Sequence, residues 1–154
     1  MEYVALDKSP YYADCEKIVS HLGYSLVSLK ITPMKGRTQV QIVIAFKDSS
    51  VTEGIGIDDC AKVHRLLAER MEELLPNEDV YMEVTSPGME RNIKNAAEFS
   101  LFVNKNVKIY NTEISNWIEG TIIFADDKLV RIRTADSEKE ISFENIAKAK
   151  LIYL

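Results

Sequence analysis

The sequence predicts an α+β chain of two modules. The first is an N-terminal domain of order α-β-β-α-β, residues 1–88, with both helices on one face of a three-stranded sheet; the second is a small antiparallel β-barrel, residues 89–154, led by a short helix. Three observations predict this. In the first half, apolar residues recur at helical spacing in two stretches and alternate with polar ones in three others. Ser86-Pro87-Gly88 then breaks every pattern, because proline fixes one backbone dihedral and glycine frees the next. Past that turn the alternation returns in five short runs with brief connections, and closing such a sheet removes its bare edges.

The first helix opens at Ser9-Pro10, a hydroxyl cap followed by proline at a position with no amide to satisfy, and carries Tyr11, Cys15, Ile18, Val19 and Leu22 on one stripe before Gly23 stops it. Two strands follow, 24–32 with Val27, Leu29 and Ile31 on one face, and 40–46 with Val40, Ile42, Ile44 and Phe46 alternating. Between them Pro33-Met34-Lys35-Gly36-Arg37 makes a hairpin connection. A polar loop, 47–56, leads to Asp58, a helix cap, and to the stripe Cys60, Val63, Leu67, Met71 and Leu74, ended by Pro76-Asn77. Val80, Met82 and Val84 mark a third strand, 80–85. In the second module a short helix is expected over 95–102, then strands over 106–110, 117–125, 129–134, 139–143 and 148–153, with Asp126-Asp127-Lys128 as a tight turn.

Composition narrows the function. The chain has 46% hydrophobic and 28% charged residues and a formal charge of −5, which excludes a disordered chain and argues against a protein that lives mainly on nucleic-acid phosphates. Residues 1–86 hold nine Lys/Arg against fourteen Asp/Glu, and residues 87–154 hold ten of each, so the acidic excess lies in the first module. Cys15 and Cys60 suit buried thiols in a reducing compartment rather than a disulfide or zinc site. No apolar run approaches the ~20 residues of a membrane span, and residues 1–7 carry no basic region followed by an apolar core, so a cytoplasmic protein is expected.

Catalytic signals are weak. His21 and His64 stand on helices without metal-spaced partners. Gly54-Ile55-Gly56 lacks the third glycine and the lysine of phosphate-cradling loops. Asp58 and Asp59 do not face each other, one reading as a cap and the other as a complement to the helix dipole. No catalytic residue, metal or cofactor is therefore expected. Binding signals are better. Lys35, Gly36 and Arg37 put two cations on a hairpin tip, where a loop can reach a phosphate or an acidic side chain. Arg131 and Arg133 share one face of a strand, with Trp117 expected on the pairing strand. Glu90 and Arg91, just beyond the stiff turn Ser86-Pro87-Gly88, can lock the two modules at an interdomain hinge through an ion pair.

Two blocks together, Gly54-Ile55-Gly56-Ile57-Asp58-Asp59-Cys60-Ala61 and Glu83-Val84-Thr85-Ser86-Pro87-Gly88-Met89-Glu90-Arg91, resemble the bacterial ribosome maturation factor RimP family. Lys35-Gly36-Arg37-Thr38, Phe102-Val103, Gly120 and Ile146-Ala147-Lys148-Ala149 fit the same pattern, and the similarity runs from about Pro10 to the end. Asn92 departs from it where the family usually has proline, and Asn104 where a glycine is common.

The resemblance implies that the second module is an SH3-like or Sm-like barrel. It also implies that the chain is a non-enzymatic assembly factor binding the immature 30S ribosomal subunit, both 16S rRNA and basic small-subunit ribosomal proteins, and helping those proteins join. Lys35, Gly36, Arg37, Asp58, Asp59, Arg131 and Arg133 are the candidate contacts. Neither DNA nor membrane is an expected partner, and a monomer is expected. On this reading the acidic first module attracts a basic protein and is repelled by bare rRNA. The alternative is a general RNA-binding module built on the Sm-like barrel, disfavoured by the acidic charge and by no visible basic stripe interleaved with aromatics.

Overall fold

A computed structural model describes residues 1–48, 51 and 54–152 of the 154-residue chain. It divides into two compact units, Leu6–Pro87 and a second formed by Gly88–Leu154 together with Met1–Ala5.

In the unit Leu6–Pro87, helix α1 spans Tyr12–His21, two residues later than Ser9-Pro10 suggests. Tyr11 holds the cap position in a left-handed conformation, φ 64°, and no side chain caps the helix. Ser9 takes part instead through its carbonyl, which accepts from the Tyr12 amide at 3.2 Å. The start is set by Tyr12, a buried ring whose hydroxyl donates to the Leu26 carbonyl at 2.5 Å. Strand β1 (Tyr24–Met34) pairs antiparallel with β2 (Arg37–Phe46). Helix α2 (Ile57–Leu74) then carries the chain across to β3 (Val80–Thr85), which lies parallel to β2, so the sheet order is β1-β2-β3.

The alternation in β1 does not run unbroken. A bulge between Leu26 and Ser28 makes Val27 the extra residue, and the register resumes with Leu29 opposite Ile42. One inserted residue reverses which parity faces the core. Tyr24 and Leu26 before the bulge and Leu29 and Ile31 after it therefore join the same cluster, and the sequence expectation of Val27 on that face is corrected. From the helices that cluster takes Cys15, Val19, Val63, Leu67 and Met71, all with no exposed surface. Burial pushes the Cys15 thiol up to about 11, so it is an inert packing group at neutral pH.

Helix α2 starts at Ile57, with Gly56 rather than Asp58 at the cap position. Asp59 reaches back from the third helical position, and its carboxylate accepts the Gly56 amide at 2.8 Å and the Tyr24 hydroxyl. These two bonds, the Tyr24 one first, hold the Asp59 carboxyl below its ordinary value. Burial, and after it the same bond, push Tyr24 up to about 12. A carboxylate with a lowered folded pKa contributes stability above its unfolded value, about 3.9, and loses it as pH falls through the folded one. Asp59→Ala is therefore expected to cost about 1 kcal/mol at pH 7. In urea denaturation that difference should shrink progressively as the solution is acidified below the unfolded carboxylate value; a difference that stays undiminished on acidification would refute the capping role.

The second unit contains six strands rather than five. They are β4 (Arg91–Ile93), β5 (Asn106–Asn111), β6 (Asn116–Ala125), β7 (Leu129–Arg133), β8 (Glu138–Ser142) and β9 (Ile146–Ile152), in the order β4-β9-β5-β6-β7-β8, with every pair antiparallel. The last strand expected from the sequence extends to Tyr153, which lies outside the described residues. A closed barrel is not found: among the described residues no ladder joins β4 to β8, so the sheet has two ends. Both ends protect themselves otherwise. β4 is only three residues long, and β8 exposes Glu138, Lys139 and Glu140; short or charged edges resist unwanted pairing without closure.

The short leading helix is a 3-10 helix, Ala96–Phe102, capped by the Asn95 side chain, which accepts the Ala97 amide at 3.1 Å. Its Phe99, fully buried, stacks on Phe143, whose other ring neighbour is Tyr3. Met1–Ala5 belongs to this unit for that reason, and also because the Glu2 carbonyl accepts the Ala96 amide at 3.0 Å and Val4 exchanges two hydrogen bonds with the Asn95 side chain.

Candidate interaction surfaces

The hairpin tip is a two-residue turn, Lys35-Gly36, closed by the pair Met34 and Arg37. Gly36 sits at φ 79°, a conformation in which a Cβ is strained. Lys35 is exposed, and the Arg37 guanidinium lies 5.9 Å from the ring centre of Tyr81 on β3, itself 52% exposed. The tip therefore offers two cations and an aromatic face. Asp58 and Asp59 have separate fates: Asp58 stays exposed at the start of α2, while Asp59 is committed to Gly56 and Tyr24.

Ser86-Pro87-Gly88 stands where the chain passes from one unit to the other, and Gly88 has φ 81°. The ion pairs beyond it are made inside the second unit. Glu90 bonds Lys150 at 2.8 Å, and Arg91 bonds Glu98 at 2.7 Å. Arg91, read from sequence as a lock between modules, instead fixes β4 to the 3-10 helix. Burial raises the Glu98 carboxyl above its ordinary value, and the Arg91 guanidinium opposes that rise. Asn92 lies in edge strand β4, where a proline would also be tolerated. Asn104 adopts φ 73°, a left-handed conformation that asparagine is among the few non-glycine residues to enter readily.

Arg131 and Arg133 alternate outward between buried Val130 and Ile132, as their spacing implies. Arg131 bonds Glu140 on β8 at 2.6 Å, and its guanidinium lies 5.2 Å from the Phe124 ring centre, while Arg133 is exposed. Trp117 is not their neighbour. It sits at the start of β6 opposite Tyr110 of β5, and Phe124, beyond a bulge at Ile122/Phe124, takes the place expected of it.

The outer face of β9-β5-β6 holds an arrangement that sequence reasoning missed. Lys150, Lys108 and Glu119 form one row across the three strands, and Lys148, Tyr110 and Trp117 form the next. Trp117 is 40% exposed, meets the Tyr110 ring edge-on at 5.4 Å between centres, and has the Lys108 ammonium 5.3 Å from its own ring centre. A basic stripe interleaved with aromatics therefore does exist. Lys108, Tyr110 and Trp117 alternate in one hairpin and could have been read from it; Lys148 and Lys150 could not, because pairing of β9 with β5 joins segments about forty residues apart.

Among the described residues no group of three or more His, Cys, Asp or Glu side chains is placed to hold a metal, and no helix is long and apolar enough to cross a membrane. A His64 ring nitrogen lies 3.1 Å from the Met82 carbonyl oxygen, a structural contact.

Residues 14–90, half of the chain, match the model of the RimP N-terminal domain. The chain belongs to the RimP family. The ribosome maturation factor RimP of Borrelia hermsii is 25% identical over 146 residues, covering 95% of this chain and 96% of that protein. Likeness to a RimP protein thus extends through both units, although the matched domain ends at Glu90. The hairpin tip, the Asp58-Asp59 helix start and Ser86-Pro87-Gly88 fall inside the RimP domain match; the Arg131 and Trp117 surfaces lie beyond it. Membership implies a role in ribosome maturation.

Proposed function

We propose that this chain is a non-enzymatic cytoplasmic factor that binds the immature 30S subunit and helps its ribosomal proteins join, acting as a monomer. Likeness to a ribosome maturation factor along nearly its whole length carries the reading. The second unit is taken as the SH3-like module of the family. Support comes from the ladder β5-β6-β7-β8, in which β9 returns to pair with β5 after a single 3-10 turn, Phe143–Asn145.

Charge supports a division of labour. Leu6–Pro87 holds nine Lys/Arg against thirteen Asp/Glu, a surface that attracts basic ribosomal proteins and speeds their encounter. Lys35 and Arg37 form a local cationic exception on that unit, suited to a phosphate at the edge of the protein contact. The decisive experiment is sedimentation: the chain should travel with immature small subunits and not with mature 30S or 70S particles. Its association rate should fall at least several-fold between 20 and 150 mM salt, because exposed charges further apart than the screening length cease to interact. Equal sedimentation with mature particles would overturn the assembly role, and a salt-independent rate would overturn the steering.

A further inference from the structure

We propose that the outer face of β9-β5-β6 is a docking surface for an unpaired RNA segment, with one base stacked on Trp117 and the flanking phosphates met by Lys108 and Lys148. The inference rests on the ribosomal reading above and names a surface that acts within it.

Three features point to this occupant. Trp117 is 40% exposed and its orientation is fixed by the Tyr110 edge contact, so the indole itself need not turn to take a base once the Lys108 side chain moves off it. Exposed aromatics of this kind take nucleobases because every base has a π-face. Of the cations, Lys108 reaches the indole itself, and Lys148 lies across Tyr110 in the same row. Lys148 lies opposite Tyr110 and Lys108 opposite Lys150, which makes Lys108 and Lys148 diagonal neighbours, about 7–8 Å apart by general strand geometry. That separation suits successive phosphates of an extended strand. Lys150 is engaged by Glu90, whereas neither Lys108 nor Lys148 forms an ion pair among the described residues.

The Lys108 ammonium now rests against the indole. A base arriving there displaces it, and the freed ammonium stands where the adjoining phosphate must pass. An acidic peptide would satisfy the lysines and leave the indole unused; a duplex would present phosphates but keep its bases stacked away from it.

Trp117 is the only tryptophan in the chain, so its own fluorescence reports the event. The full chain is titrated with an unstructured single-stranded RNA dodecamer, with the same RNA annealed to its complement, and with an Asp/Glu decapeptide. The single strand should quench Trp117 emission saturably, and the duplex and the peptide should bind at least tenfold more weakly. Two phosphate contacts predict a slope of log K against log salt of about −1.4. The double variant Lys108→Glu/Lys148→Glu should weaken the single strand at least tenfold. Trp117→Ala, read by anisotropy of labelled RNA, should do likewise, and unchanged circular dichroism shows that these substitutions leave the fold intact. Absent quenching, equal binding of duplex, tighter binding of the peptide, or indifference to the charge reversal each overturns the proposal. Sedimentation with immature subunits without quenching removes this surface and leaves the assembly role; quenching without sedimentation does the reverse.

Discussion

Arg91→Met is expected to destabilise the chain by about 3 kcal/mol at pH 7, and to do so less and less as the solution is acidified. The Arg91 side chain is 19% exposed and that of Glu98 8%, so the substitution leaves a carboxylate buried without its cation. Breaking a buried pair in this way costs about 3–5 kcal/mol, and the partial exposure of Arg91 puts the effect at the lower end. Burial already raises the Glu98 carboxyl, and Arg91 is what opposes the rise. Without it the folded pKa moves higher still. For a carboxyl raised in the folded state, ionisation removes stability as pH climbs from the unfolded value toward the folded one. The deficit should therefore be greatest at neutral pH and above and smallest near pH 4, where Glu98 is protonated. Urea denaturation between pH 4 and pH 8 measures it. The double variant Arg91→Met/Glu98→Leu should recover most of the loss, because it buries neither charge. A deficit of the same size at every pH would mean that only packing had been lost.

Gly120→Ala is expected to cost about 2 kcal/mol, with Gly120→Val costing more and disturbing the β6-β7 register. A Cβ built on Gly120 would lie 2.6 Å from the Arg133 carbonyl oxygen and 3.1 Å from its carbon. Both are backbone atoms of the paired strand and cannot swing aside as a side chain would. Overpacking of this kind typically costs about 1–3 kcal/mol. The damage should appear in hydrogen exchange at amides of the Thr121–Arg133 and Ile122–Ile132 pairs. Gly54→Ala is the control, since among the described residues nothing beyond its chain neighbours lies within 4 Å of its Cβ; it should stay within about 0.5 kcal/mol of the parent. A Gly120→Ala chain as stable as that control would show that the strands separate there at no cost.

The first unit was largely legible because its elements are long and strongly patterned. The stripe Cys60, Val63, Leu67 and Met71 could only be a helix, and Val80–Thr85 could only be a strand between Pro76 and Pro87. Errors arose where one residue changed phase or one tertiary contact outvoted local preference. Val27 is a bulge, which no alternation rule can place, and Tyr12 pulled the start of α1 past a respectable Ser-Pro signal. In the second unit strand existence was readable but closure was not, because the charges that protect β8 look like any polar run until its edge position is known. Of the candidate surfaces, contiguous features such as the Lys35-Gly36 tip were visible. Arg91 was visible as important, yet its partner Glu98 was hidden in a helix that reads as apolar.

The contacts of Met1–Ala5 carry a consequence for cutting the chain into its units. Tyr3 stacks on Phe143, so Met1–Ala5 packs in a unit from which Leu6–Pro87 separates it along the chain. Leu6–Pro87 is thus an insertion in the sequence of the other unit and builds its hydrophobic interior from its own residues. Expressing residues 88–154 by themselves would yield a fragment missing its strap, with Phe143 stripped of Tyr3 and the Ala96 amide deprived of its acceptor. Supplying that segment as a separate peptide should restore what truncation removed.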